Sequence, residues 1–337
     1  MIKRIYDYLL FKWYVASLSV RKKNEDALRW GIIGTGYMSH VFSKAIIRSR
    51  SNILYAVASR SINTASVFAA KHGIPCFYDS IANMLDNPDI DIVYVATPVE
   101  CHFEQVRQCL LAGKNVLCEK PLTLNPDEAE SLYCLAKERN KFLMEGMWTR
   151  CLPTMKKSME IIESGIIGRV QYVRADLNKR MAFEHVKKHF GALYDYGIYG
   201  VSFIQYFLGE NICLDAIKTR SFQGVVTDLS ALFSSKIAAG ALNVMSSLSA
   251  PSKAVIIGDE GSIEFDTPFN RTNRISVYDA SGKLIREYSF RYSCEGFEYE
   301  LNEVYLAIKS GRKYSDVIPA SETIKCLKIL KEIQDEK

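Results

Sequence analysis

Between Arg29 and Gly146, five short apolar runs alternate with segments of helical spacing, and this alternation constrains the fold more than any other feature. The runs are RWGIIG (29–34), NILYAVAS (52–59), IDIVYVAT (90–97), NVLCEK (115–120) and KFLMEG (141–146). Strands that are apolar on both faces and alternate with helices imply a parallel sheet covered on both sides. The intervening segments carry boundary signals. NTASVFAAKHG stops at Gly73 and HFEQVRQCLLAG at Gly113. NPDEAESLYCLAKERN starts with Asn125 as cap and Pro126 at the first helical position, with Glu128 close behind. The expected class is α/β, an N-terminal doubly wound parallel sheet.

After Arg150 the texture changes. One or two helices, including DYGIYGVSFIQYFLG (195–209), are followed by alternating runs: NICLDAIKTR, VVTDLSALFSS, AAGALNVMSS, SKAVIIGDEGSIEFD and ISVYDASGKLIREYSF. VQYVRADL (170–177) belongs with these runs, and GDEG and ASGK read as hairpin turns. A large, mostly antiparallel open sheet with a closing helix over 321–337 is expected. The 337 residues, 48% of them hydrophobic, suffice for two cores. The expected division is an extension over 1–28, a nucleotide-binding domain over 29–150 and a second domain over 151–337.

A net charge of +5 spread among nearly as many acids as bases gives no basic stripe, so nucleic acid is excluded as a partner. The nine cysteines contain no C-x-x-C pair; Cys109, Cys118 and Cys134 fall on apolar faces, as packing thiols of a reduced, cytoplasmic protein do. His185 and His189 have metal-ligand spacing, but two lysines separate them and no third ligand is near. A solvated basic face is expected there, and no metal. In the extension, Ile2, Tyr6, Leu9, Trp13 and Ala16 recur at helical spacing, while Asp7 and Lys12 interrupt the apolar run. No charge-free stretch approaches the ~20 residues that cross a bilayer. With six basic residues against three acidic ones over 1–28, the extension suits either peripheral contact of residues 1–23 with an anionic membrane surface or packing on protein; packing is the expectation.

Gly34-Thr35-Gly36-Tyr37-Met38-Ser39 directly follows the first strand and opens a helix. Gly34 permits a tight turn, and Gly36 lets the backbone approach a pyrophosphate at the positive end of the helix. An NAD site usually places an acid at the end of the second strand to bind the ribose hydroxyls. Here Ser59 and Arg60 stand there instead, a pair suited to a 2′-phosphate, so NADP is expected ahead of NAD.

Ligands of such sheets bind beyond the carboxyl ends of the strands, where Thr97-Pro98 and Glu119-Lys120-Pro121 lie. Pro121 restricts the preceding backbone and helps hold the Lys120 ammonium in place. In GALYDYGIYG, Asp195 and Tyr199 are four residues apart, hence on one helical face. An ammonium near a phenol lowers its pKa and eases proton exchange with an alcohol. Lys120, Tyr199 and Asp195 thus make an acid–base set for interconverting an alcohol and a carbonyl.

GTGYMS, ATPVECH, CEKPL and GALYDYGIYG, in this order, resemble the glucose–fructose oxidoreductase/inositol dehydrogenase (Gfo/Idh/MocA) family from about Leu28 to the chain end. The resemblance implies a Rossmann domain and a C-terminal α/β domain whose open sheet serves as dimer interface. It also implies metal-free oxidoreduction of sugars, cyclitols or diols with NAD(P). Lys120 matches the family's catalytic lysine, Asp195 its substrate-side acid, and Tyr199 its acid/base. Many members have histidine at the Tyr199 position. MEGMWTR (144–150) is similar to the dimeric dihydrodiol dehydrogenase/D-xylose dehydrogenase branch, where the position of Trp148 lines the substrate pocket. The implied cofactor-binding residues are Gly34, Thr35, Gly36, Tyr37, Met38, Ser59, Arg60, Thr97, Pro98, His102, Glu119 and Lys120. Trp148, Arg150, Asp195 and Tyr199 would face a sugar or vicinal diol, in a homodimer or homotetramer. Two alternatives are a nucleotide-sugar dehydrogenase or reductase of surface-polysaccharide synthesis and a non-catalytic NAD(P)-binding regulatory subunit.

Overall fold

The computed structural model describes residues 26–209 and 211–336. The expected amphipathic extension and its membrane contact over 1–23 lie outside the described residues. Two compact units are present, one ending at Thr97 and one beginning at Pro98.

In the first unit the elements are β1 (Leu28–Ile33), α1 (Tyr37–Arg48), β2 (Asn52–Ala58), α2 (Ile62–His72), β3 (Cys76–Tyr78), α3 (Ile81–Leu85) and β4 (Ile92–Val95). All pairings are parallel, in the order β3-β2-β1-β4. β3 was not expected, because three residues are too few for a periodicity to register. Trp30, Ile32, Phe42, Ile46, Val57 and Tyr94 are fully buried. Trp30 satisfies its indole N–H on Asn52 Oδ1 at 2.7 Å, which removes the cost of burying a polar group. Gly73 ends α2 in the left-handed conformation, φ 69°, as the sequence indicated.

The second unit opens with α4 (His102–Leu111), β5 (Asn115–Glu119), α5 (Pro126–Glu138) and β6 (Leu143–Gly146), with β5 and β6 parallel. The Asn125 side chain accepts from the Asp127 N–H at 3.0 Å and caps α5. Then come α6 (Pro153–Glu163), β7 (Val170–Asn178), α7 (Phe183–Lys188) and α8 (Ile198–Leu208). Strands β8 (Cys213–Phe222), β9 (Val225–Ser234), β10 (Ala239–Met245), β11 (Ala254–Gly258), β12 (Gly261–Phe265), β13 (Arg274–Asp279) and β14 (Leu284–Ser289) complete the sheet. Helices α9 (Phe297–Lys309) and α10 (Ala320–Asp335) follow. The eight-stranded order is β14-β13-β12-β11-β7-β10-β9-β8, antiparallel throughout except for β7–β10. The expected combination of a parallel α/β region with a large, mostly antiparallel sheet is borne out.

Helix α8 lies on this sheet so closely that a Cβ at Gly200 would meet Leu242 Cδ1 at 2.2 Å. Phe203 packs edge-on against Phe265 and Phe269, with centroids 5.0 and 5.1 Å away. This packing anchors the helix that carries Tyr199. Residues alternating with the buried ones, such as Leu232 and Ile257, are exposed on the sheet, as are Leu284 and Ile285 at its edge. Cys109 and Cys118 are buried, but Cys134 is exposed, contrary to its expected apolar placement. No helix among the described residues is long and apolar enough to cross a membrane.

Candidate active site

In the first unit the glycine turn leads from β1 into α1. Gly34 has φ +102°, and a Cβ there would meet the Ala96 carbonyl oxygen at 2.7 Å, so only glycine fits without strain. Gly36 caps α1 without a side-chain hydrogen bond, and the space its Cβ would occupy is open for 4 Å. Thr35 is half-buried, Tyr37 exposed and Met38 half-buried. An uncapped helix start beside an open glycine fits the pyrophosphate of a dinucleotide. Ser39 is buried in the third small-residue position, with its hydroxyl unpartnered among the described residues. Ser59 and exposed Arg60 follow β2, and half-buried Thr97 ends the unit.

In the second unit Lys120 follows β5, and its peptide bond to Pro121 is cis. Three partners fix this turn. Buried His102 contacts the Pro121 carbonyl through Nδ1 at 2.9 Å. Glu145 Oε1, from β6, accepts the Leu122 N–H at 2.9 Å. Glu119 Oε2 accepts the backbone N–H of Lys120 itself at 3.3 Å. Pro98, at the start of the unit, is exposed.

The turn presents the ammonium to a helix 75 residues further on. Lys120 Nζ donates to the Asp195 main-chain oxygen at 2.6 Å and to Asp195 Oδ1 at 3.4 Å. It also lies 4.8 Å from the centroid of the Tyr199 ring. Asp195 occupies a widened helical turn, Leu193–Gly197, in which the Ile198 N–H reaches back to the Leu193 carbonyl. The same-face placement of Asp195 and Tyr199 thus runs through a π-turn rather than a regular α-helix. Burial opposes the charge on Lys120, yet Tyr199, Asp195 and Glu119 outweigh it and raise its pKa above the ordinary lysine value. Burial likewise opposes ionisation of Asp195, but Lys120, His189 and His185 hold its carboxyl below its usual range.

Tyr199 departs from expectation. Lys120 and Trp148 do pull its pKa down, but burial is the larger effect, and the phenol is held above its ordinary value. The indole of Trp148 is buried and stacked on Phe297 at 4.6 Å. The side chain of Arg150, 3% exposed, is paired with Glu322, donates to the Val317 carbonyl at 3.1 Å and stacks 3.9 Å from the Tyr206 centroid. A small cavity beside Tyr199 is walled by Arg150, Leu152, Phe203 and Phe269.

Two residues at this site escaped the sequence reading. His185 Nε2 lies 3.0 Å from Asp195 Oδ2, so this histidine is tied to the acid rather than merely solvated on a basic face. Glu145 was passed over inside KFLMEG, although an acid within an apolar strand is itself a signal.

The glycine turn between a parallel strand and an open helix start defines a dinucleotide-binding class of protein. Comparison with known families agrees. Residues 28–147 match the Gfo/Idh/MocA oxidoreductase family with its NAD-binding Rossmann fold, and residues 155–264 match the Gfo/Idh/MocA C-terminal domain. The chain belongs to the Gfo/Idh/MocA family of NAD(P)-dependent oxidoreductases. It is similar to trans-1,2-dihydrobenzene-1,2-diol dehydrogenase of Danio rerio, 36% identical over 254 residues, covering 71% of this chain and 74% of that one. The Bos taurus protein of the same name is 30% identical, over 91% of this chain and 96% of the other. Among solved structures, a 3-ketoreductase from Actinomadura kijaniata in complex with TDP-benzene and NADP shares the fold with a TM-score of 0.80 at 22% identity. That match covers 91% of this chain and 96% of the ketoreductase.

Proposed function

We propose that this protein is an NADP-dependent oxidoreductase that interconverts an alcohol and a carbonyl on a sugar or vicinal diol. The observation that carries the reading is the meeting of the Lys120 ammonium, the Asp195 carboxylate and the Tyr199 ring at one place in the second unit. When bound, the nicotinamide supplies the acceptor or donor of hydride. In the reductive direction Lys120 holds the carbonyl oxygen and the Tyr199 hydroxyl gives it a proton. In the oxidative direction the substrate hydroxyl returns that proton to the tyrosine oxygen. Burial keeps the phenol protonated but makes it a weaker acid, and the Lys120 ammonium offsets part of that effect. Asp195 fixes the ammonium and orients the substrate, Trp148 forms an apolar wall, and Arg150 contributes to the substrate side through the cavity wall beside Tyr199.

For the cofactor, Gly34, Thr35, Gly36, Tyr37 and Met38 would hold the pyrophosphate, and Ser59 with Arg60 the 2′-phosphate that distinguishes NADP. Thr97, Pro98, His102, Glu119 and Lys120 would serve the nicotinamide end. The dihydrodiol dehydrogenase name shared by the curated relatives supports a diol or sugar substrate. The nucleotide role is assigned to 29–150 and the substrate role to 151–337, a division by function that differs from the compact units, which part at Thr97 and Pro98. Exposed Leu232, Ile257, Leu284 and Ile285 on the large sheet support a homodimer or homotetramer. Nine free cysteines support a reducing, cytoplasmic setting.

The test is Lys120→Ala, followed at the reduced-nicotinamide absorbance with a panel of aldoses, keto sugars and diols. Turnover drops at least ~100-fold while NADPH still binds. Unchanged turnover overturns the acid–base role.

A further inference from the structure

The carboxylate of Asp195 serves two partners with its two oxygens, and the two contacts are unequal. Oδ2 lies 3.0 Å from His185 Nε2, a normal hydrogen-bond length. Oδ1 lies 3.4 Å from Lys120 Nζ, a long and weak contact. The ammonium's short bond, 2.6 Å, goes instead to the Asp195 main-chain oxygen in the widened turn. A carboxylate can turn about its Cβ–Cγ bond, and its stronger, shorter bond sets that angle. His185 thus decides which way the second oxygen faces.

We propose that His185 is a positioning residue for the reaction, acting through Asp195 to keep the Lys120 ammonium over the Tyr199 ring. The inference rests on the Lys120–Tyr199 acid–base reading above. His185 reaches Asp195 from α7, on a separate part of the backbone, and its ring packs against His189 with centroids 4.4 Å apart. The His185 side chain is 50% exposed and the Asp195 side chain 15%, so the histidine closes the outer side of an otherwise enclosed ion pair. To donate to a carboxylate, Nε2 must carry the proton. A glutamine amide reaches about as far and can donate in the same place; alanine cannot. A half-exposed ring on a six-residue helix contributes little to the core, so its removal leaves the fold intact.

The experiment is a double-mutant cycle with a conservative control. His185→Ala lowers kcat roughly tenfold with the cofactor KM and melting temperature unchanged, as loss of a supporting hydrogen bond does. His185→Gln restores most of that rate, which a purely structural or titrating role would not produce. In the Lys120→Ala background, His185→Ala has no further effect, because the two act as one unit. If Lys120→Ala is fully active, the underlying acid–base reading fails. If Lys120→Ala is impaired while His185→Ala is inert, or equally harmful in both backgrounds, only the positioning role is overturned. A His185→Gln protein as slow as His185→Ala overturns it too.

Discussion

The Lys120 ammonium lies 4.8 Å from the centroid of the Tyr199 ring, while its hydrogen bonds go to Asp195. In the proposed mechanism ring and hydroxyl have separable jobs: the ring face carries the cation, and the hydroxyl would carry the exchangeable proton. Tyr199→Phe preserves the first and removes the second. Its kcat is expected to fall at least ~100-fold, with the cofactor dissociation constant unchanged. Tyr199→Leu removes both and should be slower still. Single-turnover absorbance with excess enzyme measures each; a Phe variant at full speed would exclude the phenol as proton donor.

Much of this site was legible because its parts are local in sequence. A glycine turn after an apolar strand, an acid–lysine–proline at a strand end, and an Asp and Tyr four apart each mark themselves within a dozen residues. The sign of the Tyr199 shift was not legible, since burial, which outweighs the neighbouring ammonium, depends on the whole core around the phenol. His185 was read as part of a basic face because the ten residues to Asp195 give no hint that the chain folds back. Helix α9 went unrecognised: its buried face includes Glu300, 1% exposed, so the apolar period of Phe297, Leu301 and Val304 is broken by an acid. The buried pairing of Arg150 with Glu322 was not legible either, because the two stand 172 residues apart.

That pairing makes a separate prediction. With the side chain of Arg150 3% exposed and that of Glu322 17%, removing the cation strands a largely buried carboxylate. Arg150→Met should destabilise the protein by about 3–5 kcal/mol, seen as a lower denaturant midpoint in equilibrium unfolding. Adding Glu322→Leu should recover most of it, since an apolar pair of similar volume replaces a buried ion pair at little cost. A residue whose main task is direct substrate contact would behave differently, raising the substrate KM at unchanged stability.

Glu145 gives the fold a pH dependence of its own. Burial pushes its carboxyl up to about 7, against the pull of the Leu122 N–H and the Thr323 hydroxyl. A carboxyl whose folded pKa exceeds its unfolded value favours the folded state most when protonated. Its contribution is therefore complete below the unfolded value of 4.5 and is lost as pH rises through about 7. The full swing is on the order of 3 kcal/mol, as an upper bound. Glu145→Gln keeps an acceptor for the Leu122 N–H and puts an amide N–H where Oε2 accepted from Thr323, so that hydroxyl turns to accept, but the side chain cannot ionise. The melting temperature of the wild type minus that of Glu145→Gln should thus decrease steadily between pH 5 and pH 8 (roughly the window set by those two values). Scanning calorimetry at several pH values measures the difference and cancels titrations common to both proteins. A difference that grows with pH would mean that Glu145 is ionised in the fold and that its hydrogen bonds outweigh its burial. The turn that carries Lys120 would then be held by a charged clamp instead of a neutral one.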